Sequence, residues 1–284
     1  MLRRNLFVKV LVFTNLIAIF FLTIISAHYE IPRKILVKLG IIVVNINTDY
    51  LANPSYGVMN SLFSEYRQKK FRVVMLGDSI TAGTAWNELL GIPDIANRGI
   101  GGDTTEGFYN RLRNISLMEP ELCFIMGGIN DIFKGISVET ITENMEKIIE
   151  ELLLNEITPI IQSTLYVSDK LPDWEKVNEN VAKLNEAIKI NCAKNNVLFL
   201  DINKTLSENG SLKNEYTYDG IHLSGSAYKE WGEMISHIIE ATRNKSQKST
   251  LSTCAGINAG DNFSKDMVFY EGMTTAIVRN AFTP

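Results

Sequence analysis

Apolar positions fall along this chain in two rhythms, and the alternation between them predicts a fold. Short runs that are apolar throughout, bounded by glycine or polar residues, read as strands buried on both faces. These are 71–77 (FRVVMLG), the weaker PDIANRG, 121–128 (ELCFIMGG), TPIIQST and 196–202 (NVLFLDI). Between them the spacing switches to steps of three and four. Val138, Ile141, Met145, Ile148, Ile149, Leu152 and Leu153 make one helical stripe, and Trp174, Val177, Val181, Leu184 and Ile188 make another. Segments 81–90 and TTEGFYNRLRNI read as shorter helices, and 224–241 as a closing one. Five buried strands, each followed by a helix, predict a doubly wound α/β domain with a five-stranded parallel sheet of flavodoxin-like order between two helical layers.

The pattern is different at both ends. No residue from Val10 to Tyr29 carries a formal charge, and the run follows Arg3, Arg4 and Lys9. That is the ~20 residues a bilayer-spanning helix needs, and longer than the about 7–15 of a secretory apolar region. An uncleaved anchor over 1–30 is therefore favoured, with a cleaved signal and a secreted product as the alternative. The flanking cations nearly balance, since Arg33, Lys34 and Lys38 answer the first three, so the preference for a cytoplasmic N-terminus and an extracytoplasmic domain is mild. Segment 31–60 reads as juxtamembrane linker: KILVKLGIIVVNI is too short for a second span, and NPSYG at 53–57 is turn-rich. The globular domain is expected over 61–242. The tail 243–284 opens with the polar run RNKSQKST, shows no clear period, and is expected to be poorly ordered.

Composition narrows the function. A chain of 284 residues, 45% hydrophobic, can bury a large core, and a net charge of −4 offers no basic field for nucleic acid. The three cysteines, Cys123, Cys192 and Cys254, form no CxxC pair and have no histidine at ligand spacing, so neither a zinc site nor a disulfide framework is expected. Cys123, between Leu122 and Phe124, reads as a small buried hydrophobe.

In a sheet of this order ligands bind beyond the carboxyl ends of the strands, where the winding reverses, here between the first and third strands. Ser79 follows the first and Asn130 the third. A serine hydroxyl needs a base to become a nucleophile. Of the three histidines, His28 abuts the apolar membrane segment and His237 lies in the closing helix, whereas His222 stands in a glycine-containing loop with Asp219 three positions before it. Asp219 would hold the imidazole's other N–H. Oxyanion donors are available at the same edge from the backbone N–H of Gly102, the side-chain amide of Asn130 and the N–H of Ser79. Each motif has a plainer reading beside this one, Asp78–Ser79 as a helix cap and GGIND as a turn, while GIGGD lacks the residues of a nucleotide-phosphate cradle. Asp78 and Asp103 read as structural. Trp86, Phe133, Tyr166 and Leu223 lie near the motifs as candidates for an acyl pocket or for packing.

GDSIT (77–81), NRGIGGDTT (97–105), GGIND (127–131) and DGIHL (219–223) resemble, in order and spacing, the four signature blocks of the SGNH or GDSL-type hydrolases. The similarity extends over about 61–241 and includes platelet-activating-factor acetylhydrolase-like and lysophospholipase-like bacterial esterases. Ile80 stands where the family name has leucine. The resemblance implies Ser79 as nucleophile, His222 and Asp219 as base and orienter, Gly102 and Asn130 as oxyanion donors, and ester hydrolysis without metal or cofactor. It leaves open an O-acetyl or lipid acyl ester as substrate, acyl transfer to an envelope glycan, and a non-catalytic membrane-tethered binding domain of the same fold. No G-x-S-x-G elbow occurs, against the α/β-hydrolase fold. Oligomeric state is not legible.

Overall fold

A computed structural model of the chain describes residues 50–67 and 70–254. The expected anchor at 1–30, the apolar run 34–46 and the tail beyond 254 lie outside the described residues. Among the described residues no helix is long and apolar enough to cross a membrane.

Strands β1 (Val73–Gly77), β2 (Ile95–Gly99), β3 (Leu122–Met126), β4 (Thr158–Gln162) and β5 (Leu198–Leu200) form one parallel sheet in the order β2-β1-β3-β4-β5. The winding therefore reverses between β1 and β3. Because successive side chains on a strand point to opposite faces, each continuous apolar run feeds two cores. Val73 and Met75 join Phe124, Ile160, Trp86 and Trp231 on one side. Val74 and Leu76 join Cys123, Ile125, Ile148 and Leu184 on the other. Burial pushes the Cys123 thiol up to about 12, so it is an inert apolar filler.

The two long helical stripes form α7 (Val138–Leu154) and α8 (Trp174–Lys194). Elsewhere the elements depart from the local reading. Segment 81–90 is two short helices, α2 (Ser79–Ala82) and α3 (Trp86–Leu90). At the break the Tyr228 hydroxyl donates to the Ile80 carbonyl at 2.7 Å. TTEGFYNRLRNI likewise divides into α4 (Thr105–Asn110) and α5 (Leu112–Ser116), because Arg111 leaves helical geometry and turns its side chain inward. After β3 comes α6 (Ile129–Phe133), and after β5 comes α9 (Asn203–Leu206). Beyond α9, a two-residue hairpin pairs Ser207–Glu208 with Ser211–Leu212.

Two boundaries are corrected. The supposed linker 53–57 starts a helix, α1 (Pro54–Glu65), with Asn53 as its cap and Pro54 in the first turn, where a missing N–H costs nothing. Tyr56 and Phe63 of α1 pack on Ile100, so the domain includes this segment rather than beginning near Ser61. At the other end α10 (Gly225–Cys254) runs through 243–254, where a polar tail was expected. That stretch holds no proline or glycine to stop it.

Candidate active site

The site is built where β1 gives out. Gly77 ends the strand, and a Cβ there would lie 2.0 Å from the Thr81 hydroxyl oxygen and 2.6 Å from the Met126 carbonyl oxygen, so only glycine lets the chain turn here. Asp78 then accepts the Ile80 N–H at 2.9 Å and caps α2. The cap reading and the nucleophile reading are compatible: capping by Asp78 leaves Ser79 as the first helical residue, half-exposed at the sheet rim.

From the far end of the chain a short loop meets it. A bridge between Thr217 and Leu223 closes residues 217–223. Inside, the Thr217 hydroxyl donates to the His222 carbonyl at 2.7 Å and accepts the Gly220 N–H at 2.9 Å. One oxygen of Asp219 accepts the N–H groups of Ile221 and His222, at 2.9 and 2.8 Å. The other lies 2.6 Å from His222 Nδ1, and His222 Nε2 lies 3.0 Å from Ser79 Oγ. With Nδ1–H assigned as donor to the carboxylate, Nε2 is left as acceptor for the serine hydroxyl. Partial burial would raise the Asp219 pKa, but hydrogen bonds from the His222 ring and the two backbone N–H groups hold it below the usual carboxylate value. The exposed Tyr218 ring stacks beside the imidazole, 6.0 Å between centroids.

The other motifs converge on the same rim. Residues 100–103 form a turn closed by Asp103 N–H to the Ile100 carbonyl at 3.2 Å, with Gly102 at φ +70°. A Cβ on Gly101 would lie 4.0 Å from Ser79 Cβ, so this turn borders the serine. Asn130, on α6, donates from Nδ2 to the Asp103 carbonyl at 2.9 Å and reaches Asp78 Oδ2 at 3.4 Å. The structure thus brings Ser79, His222 and Asp219 into one hydrogen-bonded line, and Asn130 and the Gly101–Gly102 turn to its side.

Beneath the rim lies a buried polar layer. Arg111 Nε meets Asp103 Oδ2 at 2.8 Å, and its other nitrogens donate to the Arg98 carbonyl at 2.7 Å and the Gly77 carbonyl at 2.9 Å, tying the ends of β1 and β2 to the turn. Asp131 accepts the Thr105 hydroxyl at 2.6 Å and its N–H at 3.1 Å. Burial pushes Asp78 up to about 7, against the hydrogen bond from Ile80, and Asp131 up to about 6, against its bonds from Thr105. Arg111, Asp131 and Thr105 were not singled out from the sequence. Asp131 and Thr105 sit inside recognised motifs, but nothing local distinguishes Arg111 from a solvated helix charge.

The acyl-pocket candidates separate. Trp86 is fully buried against Trp231 and donates to the Thr81 carbonyl at 2.9 Å, and Leu223 is core. Phe133 is exposed, on the helix that carries Asn130. Tyr166 lines a cavity of about 350 Å³ with Asn185, Phe199, Asp201 and others at the β4–β5 end, and none of Ser79, Asn130 or His222 borders it. The hydrogen-bonded line Asp219–His222–Ser79, rather than concavity, marks the candidate site.

Residues 75–230 match the GDSL-like lipase/acylhydrolase family. The chain belongs to that family. Among relatives, it is 29% identical over 166 residues to an N-acylneuraminate cytidylyltransferase of Streptococcus agalactiae serotype V, covering 58% of this chain and only 38% of that protein. It is 30% identical over 198 residues to the platelet-activating factor acetylhydrolase IB subunit alpha2 of Gallus gallus, covering 64% of this chain and 84% of that one. The crystal structure of a GDSL-like lipase from Bacteroides thetaiotaomicron superposes with a TM-score of 0.59 at 25% identity, covering 66% of this chain and 98% of that one. The SGNH-like sheet order expected from the sequence is the order observed.

Proposed function

We propose that this GDSL-family protein is a serine esterase that cleaves carboxylic esters, with O-acetyl or lipid acyl groups, through an acyl-enzyme on Ser79. The observation that carries the reading is the unbroken line Asp219–His222–Ser79, at 2.6 and 3.0 Å. His222 Nε2 takes the hydroxyl proton as Ser79 Oγ bonds to the ester carbonyl carbon. Negative charge then develops on the carbonyl oxygen, where donors already in place lower the barrier without reorganising. Gly102 N–H, Ser79 N–H and the Asn130 amide supply them. Of the two Asn130 Nδ2 hydrogens, the one engaged only at 3.4 Å by Asp78 is the one that an oxyanion would share. Collapse breaks the ester C–O bond, and the imidazolium returns its proton to the departing alkoxide. Water, deprotonated by His222, attacks the acyl carbon and releases the acid and Ser79. Asp219 stays ionised throughout, which its lowered pKa favours.

Turnover of p-nitrophenyl esters from acetate to palmitate tests this. Ser79→Ala should abolish hydrolysis and fluorophosphonate labelling with an unchanged circular dichroism spectrum. Retained turnover would remove Ser79 from the mechanism, and no labelling of the wild type would favour a non-catalytic binding domain. The length profile separates acetyl from lipid acyl substrates, and products formed with a glycan acceptor present separate hydrolysis from transfer. The uncharged run 10–29 supports placing the enzyme on a membrane, and the cations Arg3, Arg4 and Lys9 before it mildly favour a catalytic domain outside the cytoplasm. Release of the full chain from membranes by alkaline carbonate would contradict the anchor.

A further inference from the structure

The turn at 100–103 presents its donor through a single peptide plane. Asp103 N–H closes the turn onto Ile100 O, and positive φ at its third residue, Gly102, with none at Gly101, is the pattern of a type II turn. No described peptide bond is cis. In a trans peptide the C=O and the following N–H point in opposite directions on one rigid plate. The Gly101 carbonyl and the Gly102 N–H are the two ends of that plate.

A type I turn differs from type II chiefly by turning this middle peptide over, which would carry the Gly102 N–H to the other side. With glycine at both central positions, no Cβ opposes the flip. Something else must hold the plate, and Asn53 grips its far end: Nδ2 donates to the Gly101 carbonyl at 2.8 Å. Asn53 is itself held. Its Oδ1 accepts the Ser55 N–H at 3.0 Å to cap α1, and its own N–H donates to the Tyr50 carbonyl at 3.2 Å. Helix α1 is seated on the turn by Tyr56 and Phe63 against Ile100, and by the Tyr56 hydroxyl on the Gly107 carbonyl at 3.3 Å.

We propose that Asn53 is a positioning residue of the oxyanion hole: by fixing the Gly101 carbonyl it aims the Gly102 N–H at the carbonyl oxygen of an ester on Ser79. The same hydrogen bond polarises the plate and strengthens its N–H as a donor. Asn53 precedes the residues that match the family, 75–230, so this clamp is contributed by the chain's own leading segment. The inference rests on the esterase reading above and on Gly102 as a donor within it.

Asn53→Asp and Asn53→Ser both keep an oxygen able to cap α1. The carboxylate has no hydrogen to give Gly101, and the serine hydroxyl is too short to span the gap. With p-nitrophenyl acetate, and sites counted by fluorophosphonate titration, kcat per titrated site should fall about 10- to 100-fold, with KM within about twofold. The midpoint of the rate–pH curve should not move, because His222 is untouched. A wild-type kcat in both variants, a change confined to KM, or a loss accounted for wholly by unfolded protein would overturn the proposal, as would failure of both variants to fold, which would leave Asn53 a helix cap only. If Ser79→Ala still turns over ester, the esterase reading itself is wrong. If Ser79→Ala is inactive while Asn53→Asp runs at full rate, only the clamp is wrong.

Discussion

Two aspartates near Ser79, the proposed nucleophile, meet opposite electrostatic fates. Asp219, 38% exposed on its loop, accepts three hydrogen bonds, and its pKa is held down. Asp78, adjacent to Ser79 in the chain, is fully buried, accepts one short bond from Ile80, and is pushed up to about 7. The carboxylate to which the proposed mechanism gives the task of orienting the base sits where water and backbone donors keep it charged. A carboxyl that shapes backbone beneath the nucleophile can be dry, because either protonation state can accept the capping hydrogen bond. On the proposed mechanism the loop above carries reactivity, and the layer below, with Asp78, Asp103, Asp131 and Arg111, carries geometry.

That division can be broken in order of expected effect. Asp219→Asn should lower kcat by about 10³- to 10⁴-fold by favouring the wrong imidazole tautomer, while thermal unfolding scarcely moves. Activity within tenfold of wild type would deny Asp219 its orienting role. Arg111→Met should do the reverse in kind, leaving Asp103 buried and unpaired at a cost of about 3–5 kcal/mol in urea unfolding. Adding Asp103→Asn should recover part of that loss, and a double variant no better than the single would place the cost elsewhere. Asn130→Ala, at the boundary between the layers, should reduce kcat by about 10²- to 10³-fold with little change in KM.

The last test is the pH dependence of stability. Asp78 rises from an ordinary 3.8 to about 7 on folding, so between those values the native state holds a proton that the unfolded chain has released. Its contribution to stability is therefore favourable at low pH and declines as pH climbs through that window. Asp78→Asn keeps an oxygen for the Ile80 N–H and has no charge to bury. Its melting temperature should thus gain on the wild type from pH 4 to 7 and then level, whereas a constant difference would assign the wild-type slope to Asp103 and Asp131.

How legible each part was follows the same division. The loop above was readable, because Asp219 and His222 are three residues apart and their pairing is a local matter. The layer below was not. Arg111 looks like any helix cation until the Asp103, Arg98 and Gly77 acceptors, 8, 13 and 34 positions away, are brought beneath it. NPSYG looked like a linker for a similar reason: asparagine before proline serves a turn or a helix cap equally well, and the choice lies with a carbonyl 48 residues on.

Periodicity, glycine placement and the order of four short motifs were enough to determine the sheet, its winding and the rim on which Ser79, Asn130 and His222 lie. Those properties arise from side-chain rhythm and backbone sterics within a few residues, which a linear string records. Which charges are buried, which helices break and what holds the Gly101–Gly102 peptide were decided only by tertiary structure. Each depends on whether a distant partner arrives to replace water, and no local pattern encodes that exchange.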